Sequence, residues 1–170
     1  MKDAKPVLFA KIPGGDRAEG GLRTARVEDG KLVVESNDPG ETGGACCPLF
    51  ILTTNYDAAS GKLKQVGKVA RRPVFQTERV SFAKGATGTT IRIRLPANEG
   101  KHYVVGARAG QTIEATVNTD KADVRLLEDA ETTNITNGFS AVLPKSGDFT
   151  VEVTNYEKSP LDVIVTIKIH

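Results

Sequence analysis

The chain has 170 residues, of which 39% are hydrophobic and 26% charged, enough length for a buried core and an ordinary balance for a folded protein. Its net charge of +2, with basic residues scattered along the chain, argues against a nucleic-acid partner, which calls for a concentrated basic stripe; nor is there a run of about 18 apolar residues to cross a membrane as a helix. Trp is absent and aromatics are 5%, so the core rests on Val, Ile, Leu and Ala, while 17 glycines suit many tight turns.

Helical periodicity is nearly absent and strand alternation is frequent. Residues 7–12 are a candidate first strand. Residues 22–28 and 31–36 flank Asp29-Gly30, the dipeptide that supplies the positive φ angles of a tight hairpin turn. Residues 48–56 and 62–69 flank Ala58-Ala59-Ser60-Gly61, which predicts a second hairpin. Residues 1–72 therefore read as a small β-meander, and Arg71-Arg72-Pro73 interrupts the pattern as the expected linker. The apolar stretch at residues 6–12 is too short for a secretory leader. Met1 ahead of Lys2-Asp3-Ala4-Lys5 fits a start placed on a trimmed mature chain.

From residue 77 the alternation is cleaner. Ile91, Ile93 and Leu95 share one face and Arg92 and Arg94 the other; Ile113, Ala115 and Val117 oppose Thr112, Glu114 and Thr116. Phe149, Val151 and Val153 oppose Thr150, Glu152 and Thr154, and in the last strand Leu161, Val163, Val165, Ile167 and Ile169 point one way. Further strands are expected at 103–108, 124–128 and 139–143. About eight strands in this length, each with one apolar face, predict an antiparallel β-sandwich, jelly-roll-like, over residues 77–170. The fold class is all-β: a sandwich preceded by a meander.

Chemistry is sparse. Only two histidines are present, one of them terminal, and no nucleophile elbow, phosphate loop or zinc-protease motif occurs. No catalytic residue, cofactor or metal is therefore assigned. Gly43-Gly44-Ala45-Cys46-Cys47-Pro48 is the most unusual local feature. Adjacent Cα atoms lie about 3.8 Å apart, closer than a relaxed disulfide prefers. Cys46 and Cys47 thus read as a structural pair, oxidised to a strained ring or buried, ahead of a thiol nucleophile served by His102. Asp120, Asp123, Glu128, Asp129 and Glu131 cluster without the spacing of a calcium loop and read as a solvated segment. Asn134-Ile135-Thr136 is a formal glycosylation acceptor, read as chance. Arg92 and Arg94, with Arg108, either form a solvated face or meet an acidic partner. In Leu143-Pro144-Lys145-Ser146-Gly147-Asp148, Pro144 sets φ and Gly147 supplies a φ that other residues resist, which is turn chemistry in any sandwich.

Val80-Ser81-Phe82-Ala83-Lys84-Gly85, Tyr103, Ala107-Arg108-Ala109-Gly110-Gln111, Ala122-Asp123, Leu143-Pro144 with Ser146-Gly147, and the alternation from Asp162-Val163 together resemble the bacterial inhibitors of goose-type lysozyme. The same skeleton resembles the pre-peptidase C-terminal domains of secreted hydrolases. The resemblance covers about residues 78–169. It implies a periplasmic or secreted, non-catalytic β-sandwich whose Ser-Gly loop enters the cleft of a lysozyme or other envelope partner, with Lys145, Ser146, Gly147 and Asp148 as the partner-binding residues. The inhibitor motif carries a Tyr shortly after Ser-Gly; Phe149 stands there instead, and its place in an inward series predicts burial. The competing expectations are a cell-wall or carbohydrate-binding module, disfavoured by having only Tyr56, Tyr103 and Tyr156 for sugar platforms, and a structural module assembling through strand edges.

Overall fold

Asp29 and Gly30 take φ angles of 49° and 73°, the left-handed pair that lets a two-residue turn match the twist of its strands, and the hairpin expected around them forms. The computed structural model describes residues 8, 10–12, 21–43, 47–58 and 62–170. The chain divides into two compact units, Met1–Val74 and Phe75–His170.

In the first unit β1 (Leu22–Glu28), β2 (Lys31–Asp38), β3 (Phe50–Asp57) and β4 (Lys64–Pro73) make an antiparallel meander in sequential order. Arg71-Arg72-Pro73 is no linker: the three residues end β4 and pair with Leu52, Ile51 and Phe50. β4 is an edge strand, where a proline forfeits no ladder bond. A register irregularity opposite Thr53–Asn55, near Gly67 with φ 75°, scrambled the alternation that would have revealed the strand's length. The candidate strand at 7–12 lies partly outside the described residues, and Leu8, Ala10, Lys11 and Ile12 belong to no strand. Most of the turn expected at 58–61, like Cys46, also lies outside them.

The second unit holds two sheets. One has five strands in the order β10 (Thr132–Ile135), β11 (Gly138–Val142), β8 (Thr112–Val117), β13 (Leu161–Ile169), β6 (Gly88–Leu95). The other has four, in the order β5 (Phe75–Val80), β7 (Glu99–Ala107), β12 (Gly147–Asn155), β9 (Ala122–Leu126). Their inward residues form one core: Ile113, Ala115, Val165 and Ile167 from the first, and Tyr103, Val105, Phe149, Val151 and Val153 from the second, among others. This is the expected all-β sandwich, and each fully buried Val, Ile or Phe contributes on the order of 1.5–3 kcal/mol.

Three details differ from the sequence expectation. β5 runs parallel to β7; a parallel pair needs a crossover, and β6, in the opposite sheet, provides it. β7 begins at Glu99 rather than near Tyr103, because Gly100-Lys101-His102 carries no apolar alternation. β10 was not expected: Thr132–Ile135 is exposed throughout and shows no buried face. It is paired with β11 through a turn in which Asn137 has φ 52°, a conformation Asn tolerates better than most.

Candidate partner-binding tip

Strand pairing brings four connections to one end of the sandwich. β12 starts beside the end of β7 (Gly147 with Ala107), β8 starts beside the end of β11 (Thr112 with Val142), and β9 finishes alongside β12 (Leu126 with Val151). The segments 81–87, 108–111, 127–131 and 143–146 therefore share that end. Loops on a rigid scaffold are where binding residues concentrate.

The four residues singled out by the resemblance lie here and are all exposed: Lys145, Ser146, Gly147 and Asp148. The turn that carries them is braced on the 108–111 turn. Gly110 N donates to Leu143 O (2.9 Å), Leu143 N donates to Gln111 O (2.8 Å), and Arg108 N donates to Gln111 Oε1 (2.8 Å). Ala109 N donates to Ser146 Oγ at 3.0 Å. This fixes the hydroxyl as an acceptor inward and leaves its O–H to donate outward. Gly147 has φ 154°, a backbone state that side chains with a Cβ rarely adopt. Arg79 of β5 closes the base of the tip through its ion pair with Asp148. Phe149 is fully buried, so the aromatic ring after Ser-Gly belongs to the core and not to the exposed surface.

The outer face of the four-stranded sheet holds a second polar constellation that sequence reasoning missed. Pairing sets His102 across from Glu152 and Glu152 across from Arg125, with Thr77 across from His102. Glu152 is only 5% exposed although it faces outward. Its Oε2 lies 2.9 Å from His102 Nε2, and its Oε1 accepts from Arg125 Nε (2.7 Å) and Nη2 (2.6 Å). The Glu152 carboxylate raises the Arg125 pKa further above its ordinary value. The Phe75 ring stacks on His102 at 4.8 Å between centroids, and Gly100 beside it leaves the room: a Cβ there would meet the Phe75 ring at 2.2 Å. The carboxylate is consumed by its partners, which makes this ladder a brace. Alternation did place Glu152 outward, but its strand partners follow only from sheet order.

The remaining sequence candidates disperse. Arg94 pairs with Asp162 at 2.6 Å. Glu128 accepts from Thr150 N at 2.6 Å, and among the described residues no three His, Cys, Asp or Glu gather as metal ligands. Cys47 is exposed; its relation to Cys46 lies outside the described residues. Tyr103 is fully buried, which withdraws it from any sugar platform.

No family model and no curated protein matches the chain. Among solved structures it is similar to PliG of Aeromonas hydrophila, a periplasmic lysozyme inhibitor of g-type lysozyme, at 22% identity and TM-score 0.49, covering 56% of this chain and 97% of that one. PliG of Salmonella Typhimurium, with the same description, is similar at 18% identity and TM-score 0.47, covering 56% and 98%. The pre-peptidase C-terminal domain of a Bacillus anthracis collagenase is similar at 17% identity and TM-score 0.40, covering 58% and 98%.

Proposed function

We propose that this chain is a non-catalytic, exported binding protein whose tip at residues 143–148 enters a groove of an envelope partner, the partner being a goose-type lysozyme. The observation that carries the reading is the display of Ser146. Its side chain is exposed at the apex of a turn held by backbone bonds to the neighbouring turn, with its rotamer fixed by Ala109 N. A preorganised tip gives up little conformational freedom on docking, which favours insertion as a plug. Its outward O–H, the flanking Lys145 ammonium and the Arg108 guanidinium are donors, suited to the carboxylates of a glycosidase cleft.

The test is lysis of peptidoglycan by goose-type and chicken-type lysozymes, with this protein at micromolar excess. Selective inhibition of the goose type is expected, and Ser146→Arg should abolish it while the protein stays folded, with a cooperative melting transition. Equal inhibition by wild type and Ser146→Arg, or inhibition of neither enzyme, would remove the tip from the reading.

A further inference from the structure

Beside the tip lies a groove of about 640 Å³, lined among others by Asp129, Ala130, Glu131, Thr133, Val142 and Pro144. Its floor is apolar: Val142 is 62% exposed, and Pro144 continues the floor into the tip turn. Its rim is acidic, and among the described residues no lysine or arginine lines it. Asp129 and Glu131 are both exposed and flank the inward-turned Ala130, which packs on the core. Some exposed carboxylates of this unit are matched, Asp148 by Arg79, Glu78 by Lys101 and Asp162 by Arg94, and others, such as Asp120 and Glu157, stand in open solvent away from this groove. Asp129 and Glu131 have no such partner among the described residues. The segment that bears them is tied to β12 at its start, where Leu127 N donates to Thr150 O (3.0 Å) and Glu128 accepts from Thr150 N.

We infer that this groove is a second docking surface, continuous with the tip, for a lysine- or arginine-bearing segment of the same protein partner. The inference rests on the reading of the tip as partner-binding. Two exposed carboxylates beside an apolar floor suit a cationic side chain whose methylene stem covers Val142 and Pro144 while its head reaches the rim. Continuity through Pro144 places that segment within reach of whatever the tip enters. Lys145 of the tip and Arg108 of the turn that braces it are of the opposite sign, the tip's Asp148 being paired with Arg79, so the end of the sandwich reads a partner surface with an acidic cleft and a basic margin, an arrangement that fixes orientation as well as attraction.

The test uses the full chain with both charges reversed, Asp129→Lys with Glu131→Lys, and a neutral counterpart, Asp129→Asn with Glu131→Gln. The first readout is amide chemical-shift mapping with a capped Lys-Leu-Lys peptide. Shifts are expected at residues 129–133 and 142, weaker in the neutral variant and lost on reversal. The second is the affinity for goose-type lysozyme, expected to fall about tenfold on reversal, with the on-rate carrying much of the loss. If wild type binds the lysozyme and reversal changes the affinity less than twofold, the groove inference is overturned and the tip reading stands. If wild type does not bind the lysozyme, the tip reading fails. The peptide then decides the groove alone: shifts confined to it and lost on reversal uphold a cationic docking surface, and their absence ends it.

Discussion

His102 Nε2 lies 2.9 Å from Glu152 Oε2, directly across the pairing of β7 and β12, while Arg125 holds the other carboxylate oxygen from β9. Three strands are thus tied by one nearly buried carboxylate. Removing it leaves His102 and Arg125 facing each other with nothing between them, and the loss of a paired buried charge costs more than the pair itself contributes. Because Arg125 is 58% exposed at its side chain and regains water, Glu152→Ala is expected to destabilise the sandwich by about 2–3 kcal/mol rather than the larger cost of a fully buried pair. Glu152→Gln, which keeps an acceptor, should cost about half as much. Urea unfolding measures both. A loss below about 0.5 kcal/mol for the alanine variant, the ordinary scatter of surface changes, would show that the ladder contributes nothing.

Tyr103 presents the opposite case, a buried polar atom with nothing to bond. Its hydroxyl has no hydrogen-bond partner among the described residues, and an unpaired buried hydroxyl costs on the order of 1–3 kcal/mol. Tyr103→Phe is therefore expected to raise stability by about 1 kcal/mol. Burial, with the charge of Glu78 adding to it, pushes the phenol up to about 12 from 10.0. Since the folded value is the higher, the unfolded chain loses its proton first as pH rises. Stability should hold below pH 10 and fall between about pH 10 and 12, at up to about 1.4 kcal/mol per unit. Denaturant melts at pH 9.5 and 11.5 compare wild type with Tyr103→Phe. An identical high-pH loss in both proteins would clear this tyrosine of it.

The parts of the sandwich that sequence revealed are those with a sharp difference between faces. β8 and β13 each bury one side, so period-two alternation exposed them; β12 was exposed by its alternation of apolar and polar residues, although Val151 to Asn155 are buried on both faces. β10 escaped because Thr132–Ile135 has no buried face, and its presence depends on β11 for pairing. Gly100, Lys101 and His102 were missed for a different reason. Gly100 yields to the Phe75 ring and His102 to Glu152, so both are chosen by neighbours distant in sequence. At the tip, Pro144 and Gly147 announced a turn. The bond from Ala109 to Ser146 spans 37 positions, and no local pattern carries it. The acidic groove is hidden likewise, since Asp129 and Val142 meet only once β10 and β11 have folded back.

In the first unit, Asp38 should titrate below the ordinary carboxylate range. Its carboxylate accepts from Gly40 N (2.8 Å) and from Arg71 Nε (2.7 Å), and these bonds, the backbone one foremost, lower its pKa below 3.8. Arg71 is in turn stacked 3.5 Å from the Phe50 ring centroid, which holds the guanidinium in place. A depressed folded value means the contribution to stability is complete above the unfolded pKa and is lost as pH falls through the folded one. Carboxyl carbon shifts followed by NMR from pH 6 to 2 should place the Asp38 midpoint below 3.8, and Arg71→Ala should move it upward. A midpoint at or above 3.8 in wild type contradicts the assignment.

The pair formed by Arg79 and Asp148 separates stability from positioning. Both side chains are more than half exposed, and such an ion pair adds about 0.2–1 kcal/mol at most. Asp148 nevertheless stands immediately after Gly147, where the chain leaves the tip for β12, and Arg79 comes from a different strand. Arg79→Ala is therefore expected to change the unfolding free energy by under about 1 kcal/mol. Without its tie to β5 the tip samples more orientations, and on the proposed reading affinity for a goose-type lysozyme falls in proportion to the fraction that remains competent; a reduction of about three- to tenfold is expected on those terms. Restoring the tie with Arg79→Lys should recover most of that loss, whereas Asp148→Ala should reproduce it. Titration of the lysozyme by these variants gives the affinities and urea melts give the stabilities. If affinity and stability decline together in all three, the pair is a structural contact alone; if affinity declines while stability holds, and the lysine recovers it, Arg79 positions the tip.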